Sequence, residues 1–249
     1  MAFDADLYRL LHTGAPGDVA FYRARCADAD TVLELGCGDG RVALAIAADG
    51  PRVTGLELHR GMLDAARRAR GALPARVARR IELLEGDMAR FDLGRRFDRV
   101  ILPYTTLYCL TPEDRQRCLA CVVEHLAPDG RLIFDGWIGD DLRARGAFAD
   151  ESPEWIEGLR DGDRVIEVFE RDVHRPGRID VTYIHQIAHP GEMPTRTAYT
   201  ITHHYLCIDE VPGVLAAAGL RMVEGWGDFE GGALDDDAER MVIVAEAAG

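Results

Sequence analysis

The sequence predicts an α/β fold on a parallel sheet, with a smaller antiparallel sheet inserted in its second half. Three observations predict it. From Thr31 to Glu246, apolar runs alternate with amphipathic stretches in the manner of βαβ units. Glycines crowd the junction between the first strand and the helix after it, at Gly36, Gly38 and Gly40. Beyond residue 150 the alternation gives way to β-rich runs at 163–173, 178–189 and 196–206, joined by His-Arg-Pro-Gly and Pro-Gly-Glu-Met-Pro, an antiparallel meander. At 249 residues, one domain is the economical reading, with an N-terminal cap over 1–30 and an insertion over 150–206.

Each element has its own signal. Thr31-Val-Leu-Glu-Leu35 is the first strand, with an amphipathic helix at about 40–49. Arg52–Glu57 is the second, with a helix from about 60 to 70, and Arg80–Leu84 and Asp98–Leu102 are the third and fourth. The next helix is sharply bounded: Thr111 caps it, Pro112 suits its first turn, and Glu113 and Asp114 complement its dipole. Leu119, Val122, Val123 and Leu126 form its apolar face before Pro128-Asp-Gly130 stops it. The fifth strand is Arg131–Asp135. After the meander, a helix at about 209–218 ends at Gly219, and strands at 220–228 and 239–245 flank a solvated Asp235-Asp-Asp237 loop.

Composition removes whole classes of chemistry. All 29 cations are Arg against 43 acids, a formal charge of −14, which opposes nucleic acid or an anionic membrane as partner. Without Lys there is no Schiff base for pyridoxal phosphate and no P-loop. The only Ser, Ser152, lies in Glu-Ser-Pro-Glu, outside any Gly-x-Ser-x-Gly elbow. No signal peptide or membrane span is visible, and six scattered Cys suit reduced thiols in a cytoplasm. Cys118-x-x-Cys121 has no second Cys/His pair and reads as structural, and His203-His204 on one strand point to opposite faces, so no metal is expected.

The residues that carry chemistry gather at strand ends. Glu34-Leu-Gly36-Cys37-Gly38-Asp-Gly40 lets the backbone turn tightly and approach a ligand closely. Glu57 ends the second strand, placed to accept from both hydroxyls of a ribose, and points to an adenosine-type cofactor. The spacing is Gly-x-Gly-x-Gly, not the Gly-x-Gly-x-x-Gly of dinucleotide sites, and an acid stands two residues before it. Leu84-Glu-Gly-Asp87-Met88 adds an acid after the third strand.

These motifs resemble those of class I S-adenosylmethionine-dependent methyltransferases, over about 31–138 and again about 205–246. The resemblance implies a Rossmann-like seven-stranded sheet, mostly parallel with its last strand antiparallel. It implies S-adenosylmethionine as cofactor and S-adenosylhomocysteine as product. Their contacts would come from Tyr8, Glu34, Gly36, Cys37, Gly38, Gly40, Glu57, Leu58 and Leu102, with Asp87 taking the adenine amino group and Met88 on its ring. Ala5-Asp-Leu-Tyr8, Leu132-Ile-Phe-Asp-Gly-Trp137 and the insertion resemble amino-sugar N,N-dimethyltransferases and glycine/sarcosine N-methyltransferases, in which the extra sheet covers the substrate. His12 stands where that branch has a second Tyr.

The function implied is methyl transfer to a small molecule, at an amine nitrogen ahead of oxygen or carbon, by an enzyme acting as monomer or homodimer. A non-catalytic S-adenosylmethionine-binding regulator is the rival from another class. Tyr104, after the fourth strand, and His204, at the end of the meander, are the residues expected to touch the acceptor. Tyr104, Tyr108 and Trp137 follow strands four and five at their carboxyl ends and read as pocket lining ahead of core aromatics; Glu34 could cap the turn, and Cys37 reads as a packing residue.

Overall fold

The computed structural model describes residues 5–235 and 237–249; the start of the expected cap, residues 1–4, and the middle of the acidic loop, Asp236, lie outside them. Two compact units result, one of them Gly139–Leu206, the other running to Ile138 and resuming at Cys207–Gly249. In chain order come α1 (Ala5–Leu11), α2 (Asp18–Arg25), β1 (Thr31–Leu35), α3 (Arg41–Asp49), β2 (Arg52–Glu57), α4 (Arg60–Gly71) and the single turn α5 (Ala75–Ala78). Next are β3 (Ile81–Glu85), β4 (Phe97–Leu102), α6 (Pro112–His125) and β5 (Leu126–Trp137). The inserted unit holds α7 (Asp140–Arg145), β6 (Phe148–Ala149), β7 (Glu154–Asp161), β8 (Arg164–Arg175), β9 (Arg178–Ala188) and β10 (Thr195–His203). The chain closes with α8 (Val211–Ala217), β11 (Leu220–Trp226) and β12 (Arg240–Ala247).

The larger unit is the expected Rossmann-like sheet of seven strands, ordered β11-β12-β5-β4-β1-β2-β3. Strands β1 to β5 pair in parallel, and both pairings of the final strand β12 are antiparallel. Helices cover a parallel sheet on both faces, so its central strands are apolar throughout: Val32, Leu33 and Leu35 of β1 are fully buried. Helix α3 buries Val42, Ala43, Ile46 and Ala47, one stripe at helical spacing. Helix α6 starts as read, with Thr111 Oγ1 accepting the Asp114 amide at 3.1 Å and Pro112 in the first turn. Cys118 and Cys121 are free thiols on it.

It ends at His125, earlier than Pro128 suggested, and β5 begins at once. The pairing with β4 runs from Phe97↔Leu126 and jumps to Arg99↔Arg131, so Pro128-Asp-Gly130 bulges out of a strand and does not close a helix. Gly130 suits the bulge: a Cβ there would lie 2.9 Å from the Phe97 carbonyl oxygen.

The insertion departs further from the reading of three strands. It is a five-stranded sheet ordered β10-β9-β8-β6, with β7 also on β8. Strand β7, Glu-Trp-Ile-Glu-Gly-Leu-Arg-Asp, is exposed along nearly all its length, so burial never imposes the apolar alternation by which strands are recognised. Its pairing with β8, from Glu154↔Glu170 to Asp161↔Arg164 across a two-residue loop, defines it instead. Strand β10 stops at His203, leaving His204 beyond it. There the chain is held by Tyr205, whose hydroxyl lies 3.0 Å from His174 Nε2 and accepts the Gly177 amide at 3.2 Å.

Candidate active site

The carboxyl ends of β1, β2, β3 and β4 bring the motif residues to one side of the sheet. Gly36 and Gly38 have φ of 65° and 55°, where a side chain is strained. A Cβ on Gly36 would also fall 2.5 Å from Thr106 Cγ2 in the turn after β4. The Glu57 carboxylate accepts the Gly38 amide at 2.8 Å and the His59 amide at 2.7 Å, fixing the glycine turn to the end of β2. Cys37 packs against β2 opposite Gly55, and burial beside Glu34 and Glu57 pushes its thiol well above the ordinary range, so packing is its role.

Glu34 is buried and accepts a hydrogen bond from the Ala43 backbone, so it caps the first turn of α3 and not the glycine turn itself. Burial pushes its carboxyl up to about 8, against the pull of Arg41. Its Oε2 has no hydrogen-bond partner. At the end of β3, the Gly86 amide donates to the Glu57 carbonyl at 3.0 Å, and Asp87 Oδ1 accepts the Ala89 amide at 2.8 Å. Met88 is half-buried beside it, whereas Leu58, beyond Glu57, is 66% exposed, an apolar surface open to a ligand. Leu102 is fully buried at the end of β4. Tyr8 stacks on His12 at 4.1 Å between ring centroids.

Tyr104 and Thr105 both sit in the left-handed region, at φ of 57° and 64°. Two such non-glycine residues in succession store strain that surrounding contacts must hold. Asp135 of β5 holds it: this fully buried carboxylate accepts the Tyr104 amide at 2.8 Å, the Tyr22 hydroxyl at 2.7 Å and Arg240 Nη1 at 2.6 Å. Arg41 is engaged by both oxygens of Asp18, at 2.8 and 2.6 Å, and its guanidinium lies 5.8 Å from the Tyr104 ring centre. Tyr108 belongs to the core, fully buried, its hydroxyl donating to the Trp137 carbonyl at 2.8 Å.

Within the inserted unit, the register sets Glu170 opposite Tyr183, Asp172 opposite Val181, and Tyr183 opposite Tyr199, so these share one face. Burial and the neighbouring Asp172 push the Glu170 carboxyl up to about 7, against a hydrogen bond from Tyr183. Asp172 is pushed up to about 6 by burial and Asp150. His203 is held down at about 4 by burial and by His204.

A methyltransferase-domain family profile matches residues 32–130. A dTDP-3-amino-3,4,6-trideoxy-α-D-glucopyranose N,N-dimethyltransferase of Streptomyces venezuelae is 31% identical over 88% of this chain and 90% of its own. The cypemycin N-terminal methyltransferase of a Streptomyces species is 30% identical over 97% and 93%. The solved structure of the CcbJ methyltransferase from Streptomyces caelestis superposes with a TM-score of 0.80 at 28% identity, covering 95% of this chain and 91% of that one. Identity of this order along nearly the whole chain decides the family. The chain is a class I S-adenosylmethionine-dependent methyltransferase.

The residues of this methyltransferase fit that cofactor. A buried, unpaired Glu34 oxygen adjoins a turn where side chains are excluded at Gly36 and Gly38, and acids stand at the ends of β2 and β3. Sequence reasoning missed Asp135, Tyr22 and Arg240, which brace the turn carrying Tyr104. One signal existed, a lone acid inside Leu-Ile-Phe-Asp-Gly-Trp; nothing marked its partners, which lie 113 and 105 residues away. Sequence reasoning also missed Glu170, because the strand partners that bury it are set by register. Among the described residues, no helix is long and apolar enough to cross a membrane.

Proposed function

We propose that this methyltransferase methylates a small-molecule amine, and that Tyr104 and His204 touch it. The observation that carries the reading is shared by two relatives: one is named for an amino sugar and the other for a peptide N-terminus, and amino nitrogen is what the two names have in common. Bound S-adenosylmethionine supplies an electrophilic methyl on sulfonium, open to in-line displacement. The protein's part is then to orient the nucleophile and exclude water. Glu34, Glu57 and Asp87 hold the donor, with Leu58 and Met88 against its adenine. An amine must be uncharged when it attacks. The inserted sheet serves as the acceptor's lid, and the enzyme works in the cytoplasm as a monomer or homodimer.

The test is transfer from methyl-labelled S-adenosylmethionine to a panel of nucleotide-linked amino sugars, free N-terminal peptides and phenols, read by mass spectrometry. Label on nitrogen is expected, and label confined to oxygen or carbon would refute the amine. At saturating acceptor, His204→Ala should lower kcat less than about tenfold, since loss of a true general base costs about 10²–10⁴-fold. Tyr104→Ala should act chiefly on KM.

A further inference from the structure

The amino ends of the strands carry a cavity of about 310 Å³, at the opposite edge of the sheet from the glycine turn. It is lined by the first residues of β1 to β4 and the segments leading into β3 and β4. Five arginines are among its lining residues, Arg52, Arg79, Arg80, Arg95 and Arg96, against one acid, Glu82. In a chain of net charge −14, that is a local reversal of sign. Strands of five or six residues separate the two edges, roughly 17–20 Å at about 3.3 Å per residue. The ligand of one edge therefore does not occupy the other.

Three of the arginines are partly engaged. Arg95 pairs with Glu82 and donates to Thr54 Oγ1 at 2.8 Å; Arg80 donates to the Ala47 carbonyl at 3.3 Å; and Arg96 donates to the Leu126 carbonyl at 2.5 Å. Carbonyl partners orient a guanidinium without neutralising it. The guanidinium groups of Arg52 and Arg79 have no partner among the described residues, and both side chains are exposed. Only Arg95 has its charge answered within the cavity. Arginines lining one cavity with a single acid among them leave it a positive potential, which a polyanion answers while filling paired guanidinium donors. The volume is at the lower end of the range for small-ligand sites. The one aromatic ring of the lining, Phe97, is 2% exposed and lies under the Arg95 guanidinium, 5.3 Å from it, so no open stacking platform for a base is present.

We propose that this cavity is a binding site for a compact polyphosphate, recognised by its phosphate charge, as free pyrophosphate or as the phosphate tail of a nucleotide. Arg52 and Arg79 supply the charge left open, and Arg80, Arg95 and Arg96 shape the wall.

Calorimetry with pyrophosphate on the full chain tests this, with S-adenosylhomocysteine titrated in parallel. Pyrophosphate should bind the wild type and weaken with added salt, and the double variant Arg52→Glu, Arg79→Glu should bind it at least about tenfold more weakly. The same variant should keep its S-adenosylhomocysteine affinity within about threefold, which shows that it is folded and that the two edges are separate. A nucleoside diphosphate of equal affinity assigns the site to the phosphates alone, and one at least about tenfold tighter assigns it to a nucleotide. Absence of pyrophosphate binding at about 10 mM would overturn the proposal. So would affinity unchanged in the double variant, competition with S-adenosylhomocysteine on the wild type, or binding of an oligonucleotide in place of pyrophosphate.

Discussion

Both oxygens of the Glu57 carboxylate are in use before any ligand arrives, one on the Gly38 amide and one on the His59 amide. The residue that would hold a ribose thus also sets the turn that would receive the rest of the cofactor. Glu57→Ala removes both roles, and charge-assisted hydrogen bonds contribute about 1.5–3 kcal/mol each. S-adenosylhomocysteine should bind the variant at least about tenfold more weakly in calorimetry. Glu34 acts through its proton. Burial raises its folded-state carboxyl from the usual 4.5 to about 8, so the folded protein binds a proton that the unfolded chain has released over that window. The contribution is fully present below about 4.5 and is lost as pH rises through about 8. Glu34→Gln should flatten the fall in stability across this range, read from urea midpoints of the ligand-free protein.

Elements are locked to one another through buried polar groups as much as through apolar packing. Asp135 of β5 joins α2 through Tyr22, the turn after β4 through Tyr104, and β12 through Arg240. Asp135→Ala would leave the Arg240 charge and the Tyr22 hydroxyl without their partner and release the strained Tyr104–Thr105 turn. Breaking a buried pair by removing one partner costs about 3–5 kcal/mol. Denaturant unfolding should show a loss of that order, with Tyr22→Phe costing about 1–3 kcal/mol by leaving a carboxylate oxygen underbonded. That α6 starts at Pro112, capped by Thr111, was readable, since a cap acts on residues three positions away. That it ends at His125 was not, because β5 starts there by pairing with Phe97.

At the scale of the molecule, the chain leaves one unit at Ile138 and re-enters it at Cys207. The glycine turn, Glu57, Asp87 and Tyr104 all belong to the larger unit, whereas Glu170, Asp172 and His204 belong to the insertion. Replacing Gly139–Leu206 by a short glycine-rich linker should therefore keep S-adenosylhomocysteine binding within about threefold while abolishing turnover of any amine acceptor. Retained turnover would refute the lid.

What the sequence determined by itself was local or periodic: the succession of βαβ units, the glycine turn with its preceding acid, Glu57 at a strand end, and the capped start of α6. Each depends on residues within a few positions of one another, so spacing along the chain is enough to express it. The tertiary structure alone decided the rest. Asp135 finds Tyr22 and Arg240 only because β5 lies between β4 and β12 in the sheet. Strand β7 exists only through its register with β8, its own side chains being left to solvent. The five arginines that line the cavity come from segments spread over residues 52–96, and they share it because parallel strands begin at the same edge. Convergence of distant residues depends on pairing order, and no local pattern in the chain encodes it.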